Sequence, residues 1–290
     1  MFVNAKDLQL LIFASGGIRG IVELETLHAL EEALGAGCSL PIRAFFDLIV
    51  GTRLVAHAYC PYKTSTDHVR LGSTGGIIAL AVGVKQWPIE KCINVFTSLC
   101  QSAFTEREFA RVWGLEQMAT LNHGSKWRTR PLHQALGQTL GYEKLFGGVK
   151  DRSPGYPVKV AVTSTSGTGQ RPLVIANYSR GDNGADVEHY DFLRRHDPND
   201  GLEVWEAAAA TSASPGYFKE FYHERTKQVF LDGALYYNNP VHVAYREAKL
   251  IWPDVAESPP DLLLSIGTGV NHNILQQDFK KHPRVGQNPM

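Results

Sequence analysis

The chain has 290 residues, and its 29 Lys plus Arg balance its 29 Asp plus Glu to a formal net charge of zero. That balance excludes a nucleic-acid binder built on a basic stripe, which works by displacing counterions from phosphates. A hydrophobic fraction of 43% with 20% charged residues describes an ordinary globular chain. Such a chain is long enough to bury roughly three quarters of its unfolded surface without disulfide staples.

The first element is Leu8 to Ala14, a continuous apolar run that ends in Ser15-Gly16-Gly17. It reads as a buried strand entering a tight turn, and it has no basic flank that would make it a signal peptide. From Ile21 to about Leu34, apolar residues recur at three and four (Ile21, Leu24, Leu27, Leu30, Leu34), with Gly35 placed as a helix stop. Phe45 to Gly51 is expected as a second buried strand. Ile77 to Val82 is expected as a buried helix entered through Ser73-Thr74-Gly75-Gly76. The apolar run Ile77 to Val84 contains Gly83 and falls far short of the ~20 residues that cross a bilayer.

Strand, glycine turn and helix thus occur twice, which argues for α/β architecture with a mainly parallel sheet. Residues 86–150 read as mostly helical, with Pro88 near a helix start and Gly147-Gly148 closing the stretch. Val158–Thr163 and Pro172–Ala176 read as strands joined by a Ser/Thr/Gly loop, and Leu202–Thr211 as an alanine-rich helix. Gln228–Gly233 and Leu262–Gly267 are strands that end in turns, and the last twenty residues are polar and unpatterned. No repeat or linker divides the chain, so a single domain over 7–270 with a polar tail, 271–290, is expected. Cys38, Cys60, Cys92 and Cys100 show no C-x-x-C pairing. They read as reduced thiols in a cytoplasmic protein, and no metal site is expected.

Three strand ends carry chemistry. Ser15-Gly16-Gly17-Ile18-Arg19-Gly20 opens a helix, so its amides could hold a phosphate or an oxyanion, although such turns often bind nothing. Its glycine spacing is not that of a dinucleotide-binding fingerprint. Gly72-Ser73-Thr74-Gly75-Gly76 presents a serine at a sharp turn before an apolar helix, where the helix terminus favours developing negative charge. The plainer alternative is a serine N-cap. In Leu231-Asp232-Gly233-Ala234 an aspartate at a strand end could serve as a general base, or merely cap its own turn. None of the eleven histidines occupies a comparable strand end, so a Ser–His–Asp triad has no obvious histidine.

In their order and surroundings these blocks resemble the patatin-like phospholipase family, especially its fungal members. The blocks are Ala14 to Gly20, Leu40 to Thr52, Ser73 to Leu80, Ala210 to Phe218, Asp232-Gly233-Ala234 and Ser265 to Gly269. The resemblance implies a three-layer α/β fold whose mainly parallel central sheet is flanked by helices. It further implies a serine lipid acyl hydrolase working without a cofactor on phospholipid or other lipid esters at a transient membrane interface. The implied catalytic dyad is Ser73 with Asp232. Gly16 and Gly17 would be the oxyanion donors in a loop completed by Ile18 and Arg19, and Gly51, Thr52, Thr74 and Gly75 would form the nucleophile elbow.

The sequence departs from the family in three places. Residues 53–72 interrupt the nucleophile motif, and joining Thr52 directly to Ser73 restores Gly-Thr-Ser-Thr-Gly. The segment therefore reads as an insertion of the kind that a translated intron leaves. As the chain stands, the residue two before Ser73 is Leu71, whose side chain would crowd the elbow. Ala14-Ser15 stands where the family has Asp-Gly, and the chain ends soon after Gly269, as a piece of a longer multidomain protein would. The alternative reading is a catalytically impaired effector or binding module of a larger signalling protein.

Overall fold

The structure is a computed structural model that describes residues 7–14, 19–35, 40–52, 74–103, 124–146, 158–167, 171–180, 189–193 and 201–267. Four neighbouring strands of its sheet run parallel. β1 (Gln9–Phe13) lies between β2 (Leu48–Gly51) and β8 (Leu262–Ile266), which is at the edge, and β2 pairs with β3 (Lys159–Ser166). β4 (Pro172–Ala176) runs antiparallel on β3, and β5 (Asp191–Phe192) follows alongside β4.

The side-chain period of two assigns alternate residues to two cores. Leu11, Phe13, Ile49, Val160 and Val162 face one, and Leu10, Ile12, Leu48, Val50 and Ala161 face the other. Against the first face pack α1 (Gly20–Gly35), α2 (Gly75–Ala79), α3 (Ile89–Ala103), α4 (Thr129–Leu140) and α5 (Val204–Ser212). α6 (Val241–Ile251) covers the second through Val243, Ala244 and Ala248. Helix, sheet, helix gives the three layers that the sequence led us to expect. No helix among the described residues is long and apolar enough to cross a membrane.

Local chemistry explains several details. In α5, Ala207 to Ala210 are at most 1% exposed, small enough to bring the helix close to the sheet, and Glu206 Oε2 accepts from the Glu203 N–H at 2.8 Å to cap its start. After α2 the helix widens over Leu80–Val84, where the Lys85 N–H bonds back five residues to the Leu80 carbonyl at 2.9 Å. There Gly83 lies against Val160 of β3. The expected strand at Phe45–Gly51 is shorter than its apolar run. Ile42–Phe45 forms a 3-10 turn after Pro41, and the strand begins at Leu48. Residues 53–72, Gly147-Gly148 and the tail 271–290 lie outside the described residues.

β3 has one edge split between two partners. β2 stops with Gly51 opposite Val162, and β4 occupies the other edge from Ala161 to Thr165. β7 (Gln228–Asp232), itself paired with β6 (Phe221–His223), therefore takes over the edge that β2 vacates, with Asp232 opposite Ser164. The start of α2 is wedged against the neighbouring strand ends. A Cβ on Gly75 would lie 2.7 Å from the Ala14 carbonyl oxygen and 2.8 Å from that of Thr52, and a Cβ on Gly51 would collide with the Gly75 carbonyl. These are backbone atoms, so no rotamer change relieves the clash.

Two ionisable groups, buried Glu23 and half-buried His133, sit away from water with strongly shifted titration. Glu23 on α1 is 0% exposed, and neither of its carboxyl oxygens has a hydrogen-bond partner among the described residues. Burial pushes its pKa from 4.5 up to about 9. His133 packs edge-on to Phe221 at 5.4 Å and beside Trp205, and burial pushes it from 6.5 down to about 4.

Two measurements follow from this packing. Gly75→Ala should cost about 3 kcal/mol or more in urea unfolding. Gly35→Ala, at the open end of α1 with nothing within 4 Å, should stay within about 1 kcal/mol. Equal effects would contradict the wedge. Folded Glu23 keeps its proton from 4.5 up to about 9, so stability should fall as pH rises through that range. His133 acts in the opposite sense, with stability falling as pH drops from 6.5 to about 4. Glu23→Gln should flatten the alkaline limb of a thermal-midpoint profile and leave the acid limb in place; an unchanged alkaline limb would refute the assignment.

Candidate active site

Ser73, Gly16, Gly17 and Ile18 lie outside the described residues, but the residues that flank them do not. The loop 15–18 leaves the sheet at Ala14, whose N–H is tied to the Ile266 carbonyl at 2.9 Å. It rejoins described structure at Arg19, which is exposed, and Gly20. Both flanks touch the start of α2. The Ala14 carbonyl faces Gly75, and Gly20 sits so close to the Thr74 side chain that a Cβ there would overlap its hydroxyl. Ala14 and Gly20, on either side of the loop, therefore both lie against Thr74 or Gly75.

The chain leaves β2 at Thr52 and resumes at Thr74, and these points also meet. The Gly76 N–H donates to the Thr52 carbonyl at 3.1 Å, and the Ile78 N–H donates to Thr74 at 2.8 Å. A bond from an N–H to the carbonyl four residues back is the α-helical repeat. Thr52 and Gly76 stand in that relation when only Ser73, Thr74 and Gly75 separate them. Residues 53–73 start and finish at neighbouring points of the fold, and a single residue would suffice to join them.

Asp232 is fully buried and held at every backbone atom that can bond. Its N–H donates to the Ala213 carbonyl at 3.0 Å, and its carbonyl accepts from Thr165 Oγ1 at 2.8 Å. Its carboxylate Oδ1 accepts from the Ala234 N–H at 2.9 Å, so it caps the 3-10 turn Gly233–Leu235. One side chain links this turn to the elbow. Thr163 Oγ1 is 2.6 Å from Thr52 Oγ1, and Gly233 packs against the same Thr163 hydroxyl. Thr52 Oγ1 also donates to the Tyr237 carbonyl at 2.7 Å. Thr52 and Gly233, the residue after Asp232, therefore share one contact on β3.

Thr163 was not singled out in the sequence. It lies 111 residues from Thr52, and the parallel pairing of β2 with β3, Gly51 opposite Val162, brings the two together. The described histidines are engaged elsewhere. His28 on α1 lies 3.9 Å from Glu90, His133 sits in its aromatic nest, and His223 bonds Thr226 at 2.7 Å with Glu206 at 3.5 Å. His189 and His242 line a separate cleft.

Comparison with known proteins places these features in a family. Residues 67–245 match the family described as patatin-like phospholipase. Calcium-independent phospholipase A2-gamma of Mus musculus is 27% identical over 270 residues, covering 92% of this chain and 29% of that protein. Phospholipase A I of Arabidopsis thaliana is 28% identical over 305 residues, covering 92% of this chain and 21% of that protein. A cGAMP-activated phospholipase of Vibrio cholerae is 25% identical over 289 residues, covering 96% of this chain and 67% of that protein. The chain spans less than a third of the length of the mammalian and plant relatives. The matched span contains both Ser73 and Asp232, and the chain belongs to the patatin-like phospholipase family.

Proposed function

We propose that the chain is a lipid acyl hydrolase that uses Ser73 as nucleophile and Asp232 as general base. The observation that carries this reading is the shared contact on Thr163, which brings the flank of the elbow and the flank of Asp232 together. In the reaction, one Asp232 carboxylate oxygen keeps the turn capped while the carboxylate takes the Ser73 proton. Ser73 Oγ bonds to the acyl carbon, and the Gly16 and Gly17 amides, in the loop completed by Ile18 and Arg19, hold the oxyanion. The ester C–O bond breaks, the alcohol leaves with the proton from Asp232, and water then releases the fatty acid by the same steps. No cofactor enters the scheme.

Phospholipid esters are the favoured substrates in this reading because the named relatives are phospholipases. Transient membrane contact fits Leu235 and Tyr236, which stay 46% and 45% exposed in the turn after Asp232. The domain is taken as residues 7–270, and affinity with fungal members rests on the motif blocks. We further infer that the working enzyme lacks residues 53–72, because the Thr52–Gly76 bond has the spacing of the shortened chain. The retained segment is the one observation that favours an impaired domain of a larger protein.

Acyl-ester hydrolysis by the purified chain and by a version lacking 53–72 tests both parts. The shortened version should be active, and Ser73→Ala and Asp232→Asn in it should each lower the rate at least about a thousandfold. Full activity in either variant would reject the dyad. A folded but inactive shortened chain would favour the impaired-module reading.

A further inference from the structure

On the opposite face of the sheet from α2, a cleft of about 840 Å³ opens between the β4–β5 edge and α6. That volume suits a small organic ligand. Its lining includes Arg171, Arg246, His189 and His242 and, among the described residues, no Asp or Glu. His242 and Arg246 are four apart on α6, so both project from one face of the helix. Arg171 is committed to Asp191 at 2.8 Å. Arg246, half-buried, makes no hydrogen bond or ion pair among the described residues. A guanidinium without a partner among the described residues, in a cleft where the neighbouring carboxylate of Asp191 is already paired with Arg171, is a site for an anion, and its planar fork suits a phosphate.

The remaining walls are rigid aromatic faces. The Tyr190 hydroxyl donates to Glu247 Oε1 at 2.7 Å, and Tyr178 holds the other oxygen of this fully buried carboxylate at 2.8 Å. The Tyr237 hydroxyl donates to the His189 carbonyl at 3.1 Å, and its ring stands perpendicular to that of Tyr190 at 6.5 Å. Both hydroxyls are occupied; Tyr190, 2% exposed, backs the wall, and the rings open to a ligand are those of half-buried Tyr237 and exposed Tyr236. The geometry points to a binding site for a phosphate ester, with the phosphate on Arg246 and His242 and the organic body against Tyr236 and Tyr237. The site is separate from the Ser–Asp pair but joined to it through Tyr237, whose carbonyl accepts from Thr52.

The same chemistry occurs in a phospholipid head group and in a water-soluble phosphate ester, so the test uses both. Binding is measured on the Ser73→Ala chain, where failure of the proposed hydrolysis has no bearing on the result. Phenyl phosphate is titrated calorimetrically, and vesicles of phosphatidylcholine with and without phosphatidic acid are sedimented with the protein. Saturable binding of phenyl phosphate, weakened at least about tenfold by Arg246→Gln and by His242→Gln, is the expected result. If those variants also lose the added sedimentation with phosphatidic acid, the natural source is a lipid; if not, it is a soluble ester. Absence of saturable binding to either probe, or variants that bind as tightly as the parent, would overturn the proposal. Unchanged thermal midpoints in the variants exclude misfolding as the cause of a loss.

Discussion

The architecture depends on backbone-to-backbone contact at the start of α2. Gly75 lies against the carbonyls of Phe13, Ala14 and Thr52, and Gly51 lies against Gly75 in return. No side chain separates this helix terminus from the two strand ends, and the Gly76 N–H bonds directly to the Thr52 carbonyl. Crevices at the carboxyl ends of strands are where open α/β sheets bind ligands. The same contact anchors both flanks of the glycine-rich loop, through Ala14 and Gly20. In the proposed reaction, the loop assigned to the oxyanion and the turn assigned to the nucleophile would thereby share one anchoring point at Thr74 and Gly75.

The second constraint is the divided edge of β3. If β2 ran on past Gly51, β7 would have no ladder to join and Asp232 no fixed place. By ending early, β2 releases its chain toward the elbow and lets β7 deliver an aspartate from the opposite direction. Thr163 stands at the changeover, and its hydroxyl serves both neighbours. Strand pairing and its own turn immobilise the Asp232 carboxylate, so in the proposed role of general base it would have little orientational freedom to lose on reaching the transition state.

Much of this was legible in the sequence, for identifiable reasons. Central parallel strands are apolar on both faces, so Leu8–Ala14 appears as a continuous run and Val158–Thr163 as one broken only by Lys159. The glycine turns were legible because close backbone approach admits no other residue. α6 was missed: its apolar residues, Val241, Val243, Ala244 and Ala248, are diluted by His242, Tyr245 and Arg246 on the face that lines the cleft. β5 and β6 span only two and three residues, too short to establish a period. Leu34, taken as the last apolar position of the first helix, is 45% exposed, whereas Glu23, unremarked, is fully buried. Periodicity locates a helix's inner face but does not say how far along its length the core extends.

The central claim is that Ser73, activated by Asp232, is the nucleophile. A fluorophosphonate probe tests it directly, because an activated serine oxygen displaces fluoride from phosphorus and keeps the label. The chain lacking residues 53–72 would be labelled, digested and mapped by mass spectrometry, beside its Asp232→Asn counterpart. The account predicts a single adduct on Ser73 that forms at least about a hundredfold more slowly in Asp232→Asn. An adduct on any other serine, or labelling of Ser73 at an undiminished rate without Asp232, would contradict it.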